Sequence, residues 1–166
     1  MAIEIERRFI VRSNNWKVNV KSSQELQQGY LASDSQGWTT RIRIEDQNRA
    51  LLTLKKQSSM ISNYEYEYKI PIEEGVEILE MTSTKIYKTR YSLNIEQKEW
   101  IVDCFHGKNH PLIIAEVEMR SEQDKINKPQ WCNEEITGQY QWSNASLAKI
   151  PIAIWSIKNR LSGERP

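Results

Sequence analysis

Only two cysteines, Cys104 and Cys132, occur in the 166 residues. That scarcity argues against a disulfide framework and makes a cytoplasmic location the default. Together with His106 and His110 they could be read as zinc ligands, but their spacing fits no compact zinc module. No apolar run approaches the ~18–20 residues that a membrane-spanning helix needs. Met1 leads straight into an acidic stretch, without the basic and then apolar segments of a signal peptide. An excess of one charge is also missing. Lys and Arg number 23 against 22 Asp and Glu, a net charge of +1. Binding to nucleic acid through a broad basic surface is thereby disfavoured, so any functional positive charge must be concentrated locally. With no repeat, linker or low-complexity tract, residues 1–166 read as one domain large enough to bury a core.

What the chain has instead is like charge two residues apart in strand-like stretches. Glu4-Ile5-Glu6-Arg7-Arg8-Phe9 opens it, followed by Arg41-Ile42-Arg43, Tyr64-Glu65-Tyr66-Glu67-Tyr68 and Ala115-Glu116-Val117-Glu118. In a strand, residues i and i+2 share a face, roughly 7 Å apart. Two carboxylates at that spacing repel unless a cation lies between them, and two arginines repel unless an anion does. A chain carrying both patterns is suited to holding a metal and a polyanion together.

Strand signals dominate. They cover Ile3–Val11, Gln28–Ala32, Trp38–Glu45, Ala50–Lys56, Tyr64–Ile70, Lys85–Leu93, Glu99–Phe105 and Leu112–Met119, punctuated by turn residues. Helix is expected at Ile72–Met81, which follows Pro71 and carries Glu73 and Glu74 in its first turn. A short helix is expected over Ser121–Asn127. Ser146–Leu161 is ambiguous because Pro151 interrupts it. The fold class is therefore α+β but mainly β, an eight-stranded antiparallel sheet closed into a barrel with a few flanking helices.

The alternation puts Glu4, Glu6 and Arg8 on one face, and likewise Arg41 with Arg43, Glu65 with Glu67, Lys88 with Arg90, and Glu116 with Glu118. An antiparallel sheet with one wet face would alternate too, but a solvated face mixes its charges rather than blocking them by strand. Turned inward, these faces line a lumen just wide enough for one small ligand. Glu4, Glu6, Glu116 and Glu118 supply carboxylates suited to Mg²⁺ or Mn²⁺. Arg8, Arg41, Arg43, Lys55, Lys88 and Arg90 supply the cations a phosphate chain needs.

The ordered series resembles the CYTH superfamily, the triphosphate tunnel metalloenzymes. It comprises the opening Glu-x-Glu strand, Gln28-Gly29-Tyr30-Leu31, Arg41-Ile42-Arg43, Leu52-Thr53-Leu54-Lys55, Lys88-Thr89-Arg90-Tyr91, Asp103-Cys104-Phe105, Ala115-Glu116-Val117-Glu118, Glu134-Glu135-Ile136-Thr137-Gly138 and Ser143-Asn144. The resemblance implies a tunnel-like barrel that hydrolyses a triphosphate, foremost inorganic tripolyphosphate, with Mg²⁺ or Mn²⁺. It implies that Glu4, Glu6, Glu116 and Glu118 handle metal, and that Arg8, Arg41, Arg43, Lys55, Lys88 and Arg90 grip the triphosphate. Glu65 and Glu67 would balance the tunnel wall, and Tyr30 with Lys88 would steer cleavage, with Glu4 beside them. Adenylate cyclisation and non-catalytic polyphosphate or nucleotide binding are the alternatives. Arg8 stands where the signature usually has lysine. Trp142 stands where related chains tend to have tyrosine and reads as a packing residue. The tail from Ile150 to Pro166, with Ile150, Ile152, Ile154, Trp155, Ile157 and Leu161, is apolar enough to dock on the barrel or on a second subunit of a homodimer.

Overall fold

A computed structural model describes residues 3–34 and 36–155. Nine antiparallel strands form a single sheet: β1 (Ile3–Val11), β2 (Val20–Ser33), β3 (Trp38–Glu45), β4 (Arg49–Gln57), β5 (Ser62–Ile70), β6 (Lys85–Ile95), β7 (Lys98–Phe105), β8 (Ile113–Glu118) and β9 (Cys132–Glu135). The order β5-β4-β3-β2-β6-β7-β8-β1 is closed by a β5–β1 pairing, so eight strands make the barrel. β1 serves two partners along one edge. Its first residues, Ile3 to Ile5, pair with β5, while Phe9 and Val11 pair with the extra strand β9.

The outer face is covered in two places. Helix α1 (Ile72–Met81) lays Leu79 over Ile42, Ile44 and Ala50 of β3 and β4. Gly75 permits that approach, because a Cβ there would stand 2.3 Å from the Ala50 Cβ. Elsewhere Trp16, Trp131 and Cys132 cover Phe9, Trp100, Val102, Ala115 and Val117 on the outward faces of β1, β7 and β8. The charged faces therefore point inward. Inside, one end of the lumen is apolar. Ile10, Ile86, Phe105 and Ile114 meet Trp142, Leu147, Ile152 and Trp155 of the C-terminal segment, which includes helix α2 (Asn144–Lys149). Trp142 and Trp155 pack with ring centroids 5.0 Å apart and planes tilted by 54°.

Several boundaries differ from expectation. β2 begins at Val20, eight residues before the apolar run, because its first half is Ser, Gln and Glu with no hydrophobic signature. β6 and β7 run on to a two-residue turn, Glu96-Gln97, with both φ positive (50° and 63°), a conformation usually supplied by Asn or Gly. No helix forms over Ser121–Asn127. The stretch makes one turn, with the Asp124 carboxylate accepting from the Arg120 N–H, and then extends. Among the described residues the ambiguous C-terminal stretch is α-helical from Asn144, where the Ser143 hydroxyl accepts from the Ser146 N–H, to Lys149, and makes a single 3-10 turn over Ile152–Ile154. Pro151 cannot continue the α-helix. Ile152 and Trp155 are buried against the barrel, and Ile157 and Leu161 lie outside the described residues.

Candidate active site

Strand register assembles the charged faces. Glu6 lies opposite Glu118 and Arg8 opposite Glu116. Arg90 lies opposite Asp103, Gln28 and Tyr30 opposite Arg43 and Arg41, and Thr53 and Lys55 opposite Glu67 and Glu65.

Each lumen cation has a carboxylate. The Arg8 Nε donates to Glu116 at 3.0 Å, and its Nη1 to the Trp142 carbonyl at 3.2 Å. Arg90 forks onto Asp103 with two bonds of 2.8 Å and reaches Glu116 at 3.2 Å. Lys88, fully buried over the Phe105 ring, donates to the same Asp103. Arg41 lies 3.6 Å from Glu65 and 3.4 Å from Glu67. Arg43 bonds Glu67 at 2.8 Å and pairs with Glu45 at 3.0 Å. Lys55 bridges Glu4 and, at 3.2 Å, Glu65.

Burial reshapes the titration of these groups. It pushes the Glu4 carboxyl up to about 7, with Lys55 opposing and Glu6 and Glu65 adding to the rise. Burial acts downward on Lys55, but Glu6, Glu4 and Glu65 together hold its ammonium above the usual lysine range. One carboxylate, Asp103, serves two buried cations. Burial opposes its charge, yet Arg90 and Lys88 hold it well below the usual range. Lys88 has the weaker share. Burial takes it down to about 8 despite Asp103, and Arg90 repels it further. Burial also pushes the Tyr30 phenol up, so it is protonated at neutral pH.

A cavity of about 210 Å³ opens between the barrel wall and the C-terminal segment, lined by Glu6, Arg8, Tyr30, Arg41, Thr53 and Lys55 among others. The Arg8 Nη2, the Arg41 Nε and both polar atoms of the Gln28 amide are buried with no hydrogen-bond partner among the described residues. Buried donors left unpaired in a pocket call for a ligand rich in acceptors.

The four glutamates expected to bind metal divide into two kinds. Glu4 and Glu116 are held by Lys55, Arg8 and Arg90. Glu6 and Glu118 face each other, with Glu6 on the cavity wall, and among the described residues neither makes a side-chain hydrogen bond or ion pair. Among the described residues no three His, Cys, Asp or Glu side chains gather closely enough to hold a metal ion. Two free carboxylates still fit Mg²⁺ or Mn²⁺, which commonly take a carboxylate or two and complete their shell with phosphate oxygens and water.

The CYTH domain model matches residues 2–149. The chain belongs to the CYTH family. It is 39% identical over 153 residues to a protein of Acetivibrio thermocellus named inorganic triphosphatase, covering 91% of this chain and 96% of that one. The solved structure of the inorganic triphosphatase NE1496 matches with a TM-score of 0.65 and 30% identity over 89% of this chain and 95% of that one. The PH1012 protein of Pyrococcus horikoshii OT3, at 16% identity, TM-score 0.59 and coverage of 72% and 79%, shares the fold.

Two residues of this CYTH site are absent from the charged sets read off the strands. Asp103, 0% exposed, sits alone among apolar residues of β7, so no like-charged neighbour announced it. Gln28 carries no charge, and its strand was detectable only from that residue onward. In both cases the usable signal was position, an inward slot beside Arg90 or Arg43.

Proposed function

We propose that this CYTH protein is a metal-dependent triphosphatase that cleaves inorganic tripolyphosphate to diphosphate and phosphate. The observation that carries the reading is the convergence of Arg8, Arg41 and Lys55 on one cavity that also holds buried, unpartnered donors. The relatives named inorganic triphosphatase support it. Phosphoryl transfer needs mostly positioning and charge stabilisation, so this cation set is sufficient in kind.

Arg8 offers the triphosphate its unpaired Nη2 and Arg41 its unpaired Nε, and Lys55 adds a point charge. Arg43 and Arg90, anchored by Glu45 and Asp103, extend the positive wall. Glu6 and Glu118 would hold a divalent ion, Mg²⁺ or Mn²⁺, which would supply charge neutralisation at phosphate oxygens. Glu116 orients Arg8 and Arg90, while Glu65 and Glu67 orient Lys55, Arg41 and Arg43. Tyr30, protonated, would donate to a phosphate oxygen, and Lys88 would stabilise charge on the leaving group. Glu4 tunes Lys55. Cys104 and Cys132 are both free thiols, in keeping with the cytoplasm as the site of action.

The test is phosphate release from tripolyphosphate, ATP and thiamine triphosphate with Mg²⁺, with Mn²⁺ and with EDTA. Metal-dependent release, fastest on tripolyphosphate, is expected. Cyclic AMP formed from ATP without phosphate release would replace the proposal with a cyclase. Binding of tripolyphosphate without turnover would replace it with a binding protein.

A further inference from the structure

Gln28 stands apart from the other side chains of the lumen. It lies between Leu26 and Tyr30 on the inward face of β2, in register with Arg43 on β3 and Ile86 on β6. It is 1% exposed, and neither its amide nitrogen nor its amide oxygen has a hydrogen-bond partner among the described residues. Tyr30 and Arg41, the next inward-facing pair along, line the cavity, and Gln28 lies one inward position further along β2. Lys88 lies diagonally across the β2–β6 pair.

Two unpaired polar atoms at one buried position are destabilising. A neutral amide cannot escape that cost by changing its protonation, as a buried lysine or glutamate can. The position is therefore suited to a ligand, and the amide's chemistry says which kind. Its NH₂ donates to an acceptor, but its carbonyl needs a donor. An ionised triphosphate carries acceptors only. Arg43, the nearest cation in register, directs its guanidinium to Glu67 and Glu45. Water supplies both a donor and an acceptor.

We propose that Gln28 orients the water that attacks the terminal phosphorus. This assignment rests on the triphosphatase reading above. Its carbonyl accepts from the water O–H while its NH₂ donates to a phosphoryl oxygen, the arrangement by which an amide side chain aligns a hydrolytic water in other phosphoryl-transfer enzymes. The water oxygen forms a bond to the terminal phosphorus. The bridging P–O bond breaks, and its electron pair leaves with diphosphate. One water proton stays on the new phosphate and the other passes to the diphosphate, so no external acid, base or oxidant is consumed. Gln28 is a positioning residue and takes no proton.

The test uses the full chain with Gln28→Met and, as a second apolar replacement, Gln28→Leu. It measures kcat and KM for tripolyphosphate with Mg²⁺, affinity for non-hydrolysable imidotriphosphate, and melting temperature. Loss of the aligned water is expected to lower kcat about 100-fold. KM and imidotriphosphate affinity should stay within about threefold, because the amide is asked to hold water rather than the substrate's charge. Melting temperature should rise as the unpaired amide disappears. An unchanged kcat with weakened KM and imidotriphosphate affinity would overturn the assignment in favour of a phosphate ligand. An unchanged kcat with a lowered melting temperature would overturn it in favour of a packing role. In both cases an active wild type leaves the triphosphatase reading standing. A wild type inactive on every triphosphate would overturn that reading, and the assignment with it.

Discussion

Replacing Lys88 with methionine should make the protein more stable and nearly inactive. Lys88 is 1% exposed, and its carboxylate partner is already bound by both forks of Arg90. Burial brings its ammonium down to about 8 from the ordinary 10.5. At about 1.4 kcal/mol per pH unit, that gap makes a charged Lys88 cost the fold roughly 3 kcal/mol at neutral pH. The folded state binds fewer protons than the unfolded chain between those two values. Stability therefore rises with pH from about 8 to 10.5, and the full cost is present below 8. Methionine fills similar volume without charge, and Asp103 keeps its Arg90 bonds. Lys88→Met should gain up to about 3 kcal/mol at pH 7, or about 5 °C or more in melting temperature for a chain of this size. That advantage should shrink toward pH 10. Urea titrations at pH 7 and pH 10, read beside phosphate release, measure both halves. A variant less stable than wild type at pH 7 would show that the Lys88–Asp103 pair is net stabilising and refute the reasoning.

Asp103→Asn should do the reverse. It strips the carboxylate from two buried cations and should cost about 3–5 kcal/mol in urea unfolding. Glu6→Gln or Glu118→Gln should lower metal-dependent phosphate release at least about 100-fold without lowering the melting temperature, since neither carboxylate is paired. Glu4→Gln should flatten the stability profile between about pH 4.5 and 7. The raised wild-type carboxyl makes the fold lose stability as pH climbs through that window, by about 1–2 kcal/mol once solvent screening is allowed for. Arg8→Lys should retain activity within about tenfold. It should also destabilise by about 1–2 kcal/mol, because lysine cannot hold both Glu116 and the buried Trp142 carbonyl.

The barrel was legible because its strands alternate cleanly and its charges come in blocks. Arg41 with Arg43, and Glu116 with Glu118, needed only the two-residue period to be set on one face. The first half of β2 and the four-residue β9 were not legible, since neither carries an apolar run and β9 exists by pairing with β1. The positive-φ turn at Glu96-Gln97 hid the junction of β6 and β7, because tertiary pairing there overrides turn preference. Within the site, charge type was legible but partnership was not. Four glutamates looked equivalent in sequence, but cross-strand register sets Glu6 opposite Glu118 and Glu116 opposite Arg8, while Glu4 reaches Lys55 across the intervening strand β5.

That division has a kinetic consequence. Arg8, Arg41, Arg43, Lys55, Lys88 and Arg90 share Glu116, Glu67, Glu65, Glu4 and Asp103, so with Glu6 and Glu118 added the lumen holds no positive surplus, and these two carboxylates are the ones a substrate meets unneutralised. A bare pentavalent anion entering such a space meets repulsion at close range. The species admitted is the triphosphate already carrying its divalent ion. Turnover should follow the concentration of that complex, and uncomplexed tripolyphosphate in excess over metal should slow the enzyme by withdrawing the ion rather than by competing for the tunnel.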